Sequence, residues 1–247
     1  MSKLRGKRAI VTGAGNGIGH SIAAVFVENG ASVLAVDCSR EDLAARFAAN
    51  DAVSTLVADV TASDAPAKIV NAAVERLGGI DILVNNAGIV VAGQFETLTD
   101  EQFDTIMDVN VRAMFRLSRD AVEYLKQSGC GRIINLGSIM SDLAGPALSI
   151  YGTSKHAVAG LTKGMAVDLG AYGITVNYLQ PGSIVTRMSE PFMDDPVFKQ
   201  YWEDKAPIGR LGQPEEVAAA ALFLASEDAQ FVSGVGFNVD GGAIVKF

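Results

Sequence analysis

The stretch Arg8-Ala-Ile-Val-Thr-Gly-Ala-Gly-Asn-Gly-Ile-Gly19 joins a short apolar run to a turn that contains four glycines. The apolar run predicts a buried strand over residues 8–12, and the residues that follow predict a helix near 17–29. Glycine permits a tight turn, and its missing side chain lets backbone N–H groups approach an anion at the helix start. The stretch therefore predicts a nucleotide-binding strand–turn–helix unit, although such turns also occur in flavodoxin-like and sugar-nucleotide proteins.

The rest of the chain repeats the same alternation of apolar runs and helical patterns, which is typical of βαβ units. Further strands are predicted over residues 32–36, 53–58, 80–85, 132–136, 175–179 and 236–239. Further helices are predicted near 40–50, 65–77, 100–127, 149–172 and 214–225. We therefore predict an α/β protein with one domain over residues 1–247. It is a doubly wound Rossmann-type fold with a seven-stranded, mainly parallel sheet and helices on both faces.

Residues 187–207 interrupt this alternation. They contain three prolines and four aromatic residues, namely Pro191, Pro196, Pro207, Phe192, Phe198, Tyr201 and Trp202. This composition predicts a substrate lid within the domain, or alternatively a connection packed on the surface.

Composition excludes several classes of function. The 247 residues carry a net charge of −8, with a pI near 4.8, which argues against a nucleic-acid or anionic-membrane partner. No apolar run approaches the ~20 residues of a membrane span, and we recognise no secretory signal. Cys38 and Cys130 lack metal-ligand spacing and are expected to be reduced thiols, Cys130 as a small buried residue. We expect a cytoplasmic protein without a metal site.

Acidic and small residues follow the predicted strands at the edge where open parallel sheets bind ligands. Asp37 ends the second strand, where a carboxylate accepts hydrogen bonds from the adenosine ribose and repels a 2′-phosphate. It favours NAD(H) over NADP(H), although Arg40 could reach a phosphate and Asp37 could instead be a helix cap. Asp59 and Val60 follow the third strand, near the expected adenine, and Asn85-Asn-Ala-Gly88 follows the fourth, near a ribose. Either group could also be ordinary turn chemistry.

Tyr151 and Lys155 are four residues apart and would share one face of a helix. Lowering the pKa of a phenol by about 3 units takes roughly 4 kcal/mol. A unit charge about 4 Å away supplies about that much at an effective dielectric near 20. The spacing predicts a base that takes a proton from an alcohol, but it is also common on ordinary amphipathic helices.

Taken together, these motifs resemble the short-chain dehydrogenase/reductase family over essentially the whole length. The resemblance rests on Thr-Gly-x-x-x-Gly-x-Gly at 12–19, Asn-Asn-Ala-Gly at 85–88, Asn110, Ser138, Tyr-x-x-x-Lys at 151–155, Pro181-Gly182 and Val239-Asp-Gly-Gly242. The general Gly-x-Gly-x-x-Gly pattern does not fit the first turn.

The resemblance implies a catalytic tetrad of Asn110, Ser138, Tyr151 and Lys155. Tyr151 would exchange a proton with the substrate oxygen, and Ser138 would stabilise that oxygen. Lys155 would lower the pKa of the tyrosine and hold a ribose, and Asn110 would support a water relay. The implied cofactor-binding residues are Gly13, Asn16, Gly17, Ile18, Gly19, Asp37, Asp59, Val60, Asn86, Ala87, Gly88, Tyr151, Lys155, Pro181, Gly182, Ile184 and Thr186. His20 and His156 are expected to be ordinary helix residues.

The substrate is less well defined by the sequence. Residues 91–95, 139–148 and 187–202 are candidates to face it, and their apolar members are Met140, Leu143, Pro146, Leu148, Met188, Phe192 and Trp202. These predict an apolar pocket for a ketone or secondary alcohol of some bulk, unless they pack against another subunit.

The preferred hypothesis is an NAD-dependent alcohol/ketone oxidoreductase. An NADPH-dependent 3-oxoacyl-thioester reductase is an alternative, against which Asn16 and Asp37 count, and a non-catalytic nucleotide-sensing regulator is a remote one. The resemblance also implies a homotetramer built through residues 100–127, 150–172 and the C-terminal strand.

Overall fold

The computed structural model describes residues 2–48, 50–190 and 195–246, without the side chain of Phe198. Its strands are β1 (Arg8–Thr12), β2 (Ser32–Asp37), β3 (Val53–Val57), β4 (Ile82–Asn85), β5 (Arg132–Leu136), β6 (Thr175–Pro181) and β7 (Gly236–Val239). Its helices are α1 (Gly17–Glu28), α2 (Arg40–Phe47), α3 (Ala65–Leu77), α4 (Asp100–Met107), α5 (Ala113–Ser128), α6 (Ser149–Leu169), α7 (Pro196–Lys205) and α8 (Pro214–Ala225).

The seven strands form one sheet in the order β3-β2-β1-β4-β5-β6-β7, and every neighbouring pair is parallel. The predicted Rossmann-type fold is confirmed, and the sheet is wholly rather than mainly parallel. The strand order reverses between β1 and β4, which is the switch point where open sheets of this type bind ligands. That the described residues act as a single domain stays a prediction.

The sheet is buried on both faces, because successive apolar residues of its strands point to opposite faces and helices cover both. Val11 and Val33 join a core cluster with α1, α2 and α8, whereas Ile10 and Leu34 join a second cluster with α3 and α5. Burying one such side chain contributes about 1.5–3 kcal/mol, so these layers fix the strand ends rigidly. Rigid strand ends in turn hold the loops at the carboxyl edge.

The predicted helix over residues 100–127 is wrong in one respect. It is interrupted by a π-helical turn, Asp108–Arg112, which separates α4 from α5. The side chain of Asn110, in this turn, bonds the backbone of Ile89 outside the helix. Single π turns of this kind are frequent at functional sites.

Smaller differences concern element ends and one cysteine. β4 begins at Ile82 rather than residue 80, and β6 runs on to Pro181. The predicted lid contains helix α7, which Asp195 caps by accepting a hydrogen bond from the Val197 N–H group. Cys130 is only partly buried, in contrast to the expectation, and its Sγ accepts a hydrogen bond from Lys7 Nζ at 2.8 Å.

None of the helices in the described ranges has the length and apolar character that a membrane span requires.

Candidate active site

The glycine-rich turn after β1 cannot carry larger side chains. Gly13 and Gly17 adopt φ of +64° and +53°, in the left-handed region that favours glycine. A Cβ at Gly13 would lie 2.7 Å from Asn86 Nδ2, and one at Gly19 would overlap the carbonyl oxygen of Gly13. The turn is therefore packed tightly against the end of β4.

Helix α1 starts without a side-chain cap. Asn16 occupies the capping position with extended backbone, but its side chain accepts no hydrogen bond from the first turn. In contrast, α2 is capped by Ser39, which accepts from the Asp42 N–H group at 3.1 Å. Free N–H groups at the positive end of a helix suit a diphosphate, so this turn fits a dinucleotide.

Two side chains fasten the end of β4 to the end of β1. Asn86 Nδ2 donates to the carbonyl oxygens of Thr12 at 2.9 Å and Gly13 at 3.0 Å. The Thr12 hydroxyl accepts from the N–H groups of Asn86 and Ala87 at 3.0 and 3.1 Å. The Asn86 side chain thus shapes the glycine turn, and Ala87 and Gly88 leave the space beside it open.

Asp37 ends β2 with a buried carboxylate that is 8% exposed. Its Oδ2 accepts from the Gly15 N–H group at 2.9 Å, and its Oδ1 accepts from the Ser39 N–H group at 2.9 Å. A carboxylate can accept about four hydrogen bonds, so capacity remains for ribose hydroxyls. Asp37 therefore orders the glycine turn while presenting negative charge beside it.

The residues after β3 are placed differently from one another. Asp59 is exposed, and its Oδ1 accepts from the backbone and hydroxyl of Thr61 at 2.9 and 2.7 Å, which is ordinary turn chemistry. Val60 packs against the second core cluster. Ile18, likewise, is partly buried against the first cluster.

The segment after β6 crosses in front of the glycine turn. Gly182 donates to the Val239 carbonyl oxygen at 3.1 Å, and the Ile184 side chain is buried in the core. The methyl group of Thr186 lies 3.2 Å from where a Cβ on Gly17 would be. Pro181 to Thr186 therefore forms the wall opposite Gly17.

Asn110 is 1% exposed, and both the oxygen and the nitrogen of its side-chain amide form hydrogen bonds. Its Oδ1 accepts from the Ile89 N–H group at 2.9 Å, and its Nδ2 donates to the Ile89 carbonyl oxygen and to Ser154 Oγ, both at 3.0 Å. A Cβ on Gly88 would lie 3.2 Å from Asn110 Oδ1 and 3.7 Å from Lys155 Nζ. The structure thus brings the end of β4, the π turn and α6 together.

Ser138, Tyr151 and Lys155 meet where β5 ends against the first turns of α6. The Ser138 side chain hydrogen-bonds the Tyr151 phenol. Lys155 is 6% exposed, with Nζ 5.6 Å from the centre of the Tyr151 ring. Lys155 Nζ donates to the carbonyl oxygen of Leu136 at 2.8 Å. The four sequence-predicted tetrad residues therefore form one cluster.

Comparison with known proteins identifies the family of the chain. Residues 13–243 match the model of a family described as enoyl-(acyl carrier protein) reductase. The chain is 40% identical over 251 residues to the gluconate 5-dehydrogenase of Gluconobacter oxydans (strain 621H), covering 100% of this chain and 98% of that protein. The chain belongs to the short-chain dehydrogenase/reductase family.

Two further members show the range of the family. The 3-oxoacyl-(acyl-carrier-protein) reductase of Thermotoga maritima is 34% identical over 247 residues, covering 98% of this chain and 100% of that protein. A solved gluconate 5-dehydrogenase from Burkholderia cenocepacia J2315, in complex with NADP and tartrate, superposes with a TM-score of 0.93. It is 36% identical, covering 100% of this chain and 99% of that one. This short-chain dehydrogenase/reductase is thus an oxidoreductase whose relatives act on different substrates.

Burial dominates the electrostatics of the tetrad in this short-chain dehydrogenase/reductase. It raises the pKa of Tyr151, and the hydrogen bond from Ser138 is the opposing contribution. Burial also lowers the pKa of Lys155 to about 8. The expectation that the neighbouring lysine lowers the pKa of Tyr151 is not met among the chain's own groups, because burial raises that pKa and the opposing contribution comes from Ser138 rather than from Lys155.

The candidate substrate segments lie partly together. The Gly93 N–H group donates to the Ala147 carbonyl oxygen at 2.9 Å, which joins residues 91–95 to 139–148. Met140 and Leu148 both pack beside Gly145, whereas Met188 is half exposed. Phe192 lies outside the described residues.

Trp202 contributes to a different space. It lines a cavity of about 360 Å³ with Ala206 and Ile208 on one side and residues 238–243 on the other. No tetrad residue lines this cavity. The part of the lid that carries Trp202 therefore faces β7 rather than Tyr151.

The two histidines take structural places. The His20 ring lies 5.5 Å from that of Phe47, and burial lowers its pKa. His156 Nδ1 lies 2.9 Å from the Gly152 carbonyl oxygen within α6.

Sequence analysis missed two pairs beside the site. Arg187 forms a bidentate ion pair with Asp42, at 2.8 and 2.9 Å. Gln180, which is 2% exposed, donates to Asp142 Oδ2 at 2.7 Å and to the Ser138 carbonyl oxygen at 3.4 Å. A long polar side chain directly before Pro181-Gly182 was a signal for the second pair, whereas no local pattern indicated the first.

Proposed function

We propose that this protein transfers hydride between NAD(H) and a secondary alcohol or ketone, with Tyr151 as the proton-transfer group. The observation that carries the proposal is the cluster of Ser138, Tyr151 and Lys155 at the carboxyl edge of the sheet. Belonging to the family supports the reaction class. The coenzyme, the substrate and the residue roles are our inference from the geometry.

Tyr151 and Ser138 are the groups that would contact the reacting oxygen. In ketone reduction, the neutral phenol donates its proton to the oxygen, and the raised pKa keeps it neutral near pH 7. In alcohol oxidation, the phenolate accepts that proton. The Ser138 hydroxyl donates a hydrogen bond to the oxygen as negative charge develops, and one such donor contributes about 10²–10³ in rate.

Lys155 and Asn110 support this proton transfer. A hydrogen bond to the Leu136 carbonyl oxygen fixes Lys155 Nζ 5.6 Å from the centre of the Tyr151 ring. From there the ammonium would also contact the nicotinamide ribose of the coenzyme. Asn110 holds the backbone of Ile89 beside Gly88 and Lys155. We propose that it keeps a polar path open from Lys155 toward solvent.

The nicotinamide coenzyme would supply the hydride donor or acceptor. The uncapped start of α1 would hold its diphosphate, and Asp37 would accept from the adenosine ribose hydroxyls. Gly13, Asn16, Gly17, Gly19, Ala87 and Gly88 would line its path, with Pro181, Gly182, Ile184 and Thr186 along the opposite wall.

Asp37 supports NAD(H) over NADP(H). A 2′-phosphate would have to approach a carboxylate that is buried and already fixed by two backbone N–H groups. Arg40 is exposed and forms no ion pair in the described part of the chain. The Burkholderia relative was solved with NADP, so both coenzymes are compared in the test that follows.

The test is a coenzyme and substrate screen with an isotopic label. A panel of apolar aliphatic, cyclic and aryl secondary alcohols deuterated at the carbinol carbon is offered with NAD⁺ or NADP⁺, and gluconate and a 3-hydroxyacyl thioester are included as substrates of relatives. We expect deuterium in NADH from an apolar alcohol. Turnover only with NADP⁺ and the 3-hydroxyacyl thioester, which is the reverse of acyl reduction, would reject the proposal in favour of the acyl reductase. Coenzyme binding without any turnover would favour a nucleotide-sensing regulator.

We also propose a homotetramer. Exposed aromatic and aliphatic side chains lie on the elements that the family resemblance implicates, namely Phe103, Phe115 and Val167 on α4, α5 and α6, with Phe231, Phe237 and Val245 around β7. Covering such side chains would stabilise an assembly. Sedimentation velocity at micromolar concentration tests this, and a monomer would contradict it.

A further inference from the structure

An ion pair spans the glycine-rich turn near Asp37, where the adenosine of the coenzyme is proposed to bind. Arg187 directly follows Thr186, whose methyl group lies against Gly17. Its guanidinium reaches helix α2, where Nη1 and Nη2 donate to the two carboxylate oxygens of Asp42 at 2.8 and 2.9 Å. The pair thus joins the segment after β6 to the helix after β2, across the glycine-rich turn between them.

Asp42 lies close to the residues proposed to hold the adenosine. A Cβ on Gly15 would lie 2.9 Å both from the Asp42 Cβ and from the Asp37 carboxylate. The Asn16 side chain and the Ser39 hydroxyl also interact with Asp42. The carboxylate of Asp42 is the main cause of a raised pKa of Arg187, and the negative charges of Glu190 and Asp37 raise it further. The guanidinium therefore lies on the same side of the glycine-rich turn as Asp37, which is proposed to bind the adenosine ribose.

An arginine in this place has the chemistry to bind that phosphate. Its planar donors match phosphate in a bidentate manner, and dinucleotide folds that take NADP use a nearby arginine for the purpose. Here Nη1 and Nη2 each donate one hydrogen bond to Asp42, whose carboxylate occupies the bidentate face and neutralises the charge. The side chain of Arg187 is 58% exposed, so the pair is accessible to a ligand that competes for it.

We propose that Arg187 is a latent 2′-phosphate site that Asp42 masks, and that this pair adds to Asp37 in discriminating against NADP(H). The proposal rests on the proposed coenzyme site. It assigns specificity to residues 145 positions apart, in addition to the strand-end carboxylate. Without Asp42, the guanidinium of Arg187 is available to bind a phosphate. Without Arg187, removing Asp42 should not improve the binding of NADP(H).

The experiment measures dissociation constants of NADH and NADPH by equilibrium fluorescence titration, without substrate. The variants are Asp42→Asn, Arg187→Gln and the double variant, with thermal unfolding of each to show that it is folded. We expect Asp42→Asn to lower the ratio of the NADPH to the NADH dissociation constant about tenfold, because a cation is gained and an anion lost. The double variant should return to within about twofold of the wild-type ratio, and Arg187→Gln alone should stay within about twofold of it.

The matched control is Glu41→Gln, which removes the same charge one residue earlier in the first turn of α2. Glu41 is not an ion-pair partner of Arg187 within the described ranges. The control should leave the ratio unchanged within about twofold, and 0.5 M salt should abolish most of the Asp42→Asn effect, because screening is strong at that ionic strength.

Each contrary outcome has its own meaning. A double variant that behaves like Asp42→Asn would show simple repulsion by Asp42 and overturn the role of Arg187. An equal loss of both coenzymes in Arg187→Gln would place the guanidinium on the diphosphate instead. An effect of Glu41→Gln as large as that of Asp42→Asn would show that any negative charge in the first turn of α2 disfavours NADPH. It would overturn the specific role of the Arg187–Asp42 pair. Failure of the wild-type protein to bind either nucleotide would refute the proposed function itself.

Discussion

Lys155 Nζ lies 5.6 Å from the centre of the Tyr151 ring and 2.8 Å from the carbonyl oxygen of Leu136. One buried ammonium thus connects α6, which carries Tyr151, to the end of β5, which leads to Ser138. The same burial that fixes its position disfavours its charge. Several of the properties that we predict follow from this conflict.

The stability of the protein should carry a signature of Lys155 at alkaline pH. Burial lowers its pKa in the folded chain to about 8, below the 10.5 of a free lysine. Between these values the unfolded chain holds a proton that the folded chain has lost, so the contribution of Lys155 to stability rises with pH. The cost of the buried charge is fully present below pH 8 and disappears as pH approaches 10.5.

The measurement is urea unfolding of wild type and Lys155→Met at pH values from about 7.5 to 10. The free energy of unfolding of wild type, minus that of the variant, should rise by about 2 kcal/mol over this interval. Lys163→Met, at an exposed site on the same helix, is the control and should track wild type. A difference that stays flat with pH would show that the ammonium is not penalised by burial.

The pH dependence of turnover should differ between the two directions. Burial raises the pKa of Tyr151, and the hydrogen bond from Ser138 lowers it. Alcohol oxidation needs the phenolate, so its rate should rise with pH into the alkaline range, whereas ketone reduction should fall as the phenol is lost. In Ser138→Ala the bond that lowers the pKa is missing, so the alkaline rise should move to higher pH while the rate falls about 10²-fold or more.

Steady-state rates in both directions against pH provide this test. Ser149→Ala, at an exposed position at the start of α6, serves as the control and should leave both profiles in place. If the pH profiles of wild type and Ser138→Ala coincide, Ser138 does not affect the pKa of the Tyr151 phenol.

The glycine turn, the strands and the tetrad could be predicted because their signals are local. Gly13, Gly17 and the continuous apolar run of β1 are signals contained in neighbouring residues, and Tyr151 and Lys155 share one turn of one helix. The ion pair of Arg187 with Asp42 could not be predicted in this way, since it depends on how β2 and β6 are placed in the sheet.

The burial of side chains, like the ion pair between Arg187 and Asp42, could not be predicted from local sequence patterns. The spacing of Tyr151 and Lys155 correctly placed a cation near a phenol, but the direction of the tyrosine pKa depends on desolvation by the whole fold. The π turn is similar, because Asn110 satisfies the backbone of Ile89 from outside the helical pattern.

Replacing Asn110 should therefore lower the stability of the protein as well as its turnover rate. In Asn110→Ala the N–H group and carbonyl oxygen of Ile89 and the hydroxyl of Ser154 lose their shared partner. We expect the free energy of unfolding to fall by about 3 kcal/mol, since each orphaned buried group costs about 1–3 kcal/mol. Chemical unfolding checks this, with Asn50→Ala at the surface as the control. A change below about 0.5 kcal/mol would show that the network is not formed.

The glycine turn gives a sharp steric prediction. A methyl group at Gly19 would overlap the Gly13 carbonyl oxygen and the Asn86 amide, so Gly19→Ala should weaken NADH binding at least about 100-fold and destabilise the fold by about 2 kcal/mol. Gly170→Ala is the control, because Gly170 has right-handed φ of −57° and nothing within 4 Å of an added Cβ. It should leave NADH binding unchanged, and normal binding by Gly19→Ala would contradict the packing of the turn.

The most direct test of the proposed chemistry is Tyr151→Phe, which removes one hydroxyl and keeps the ring beside Lys155. Titration with NADH and single-turnover oxidation of the best secondary alcohol should be measured on the same preparation. We predict an NADH dissociation constant within about threefold of wild type and a turnover rate lower by at least about 10³-fold. Near-normal turnover by this variant would mean that another group transfers the proton.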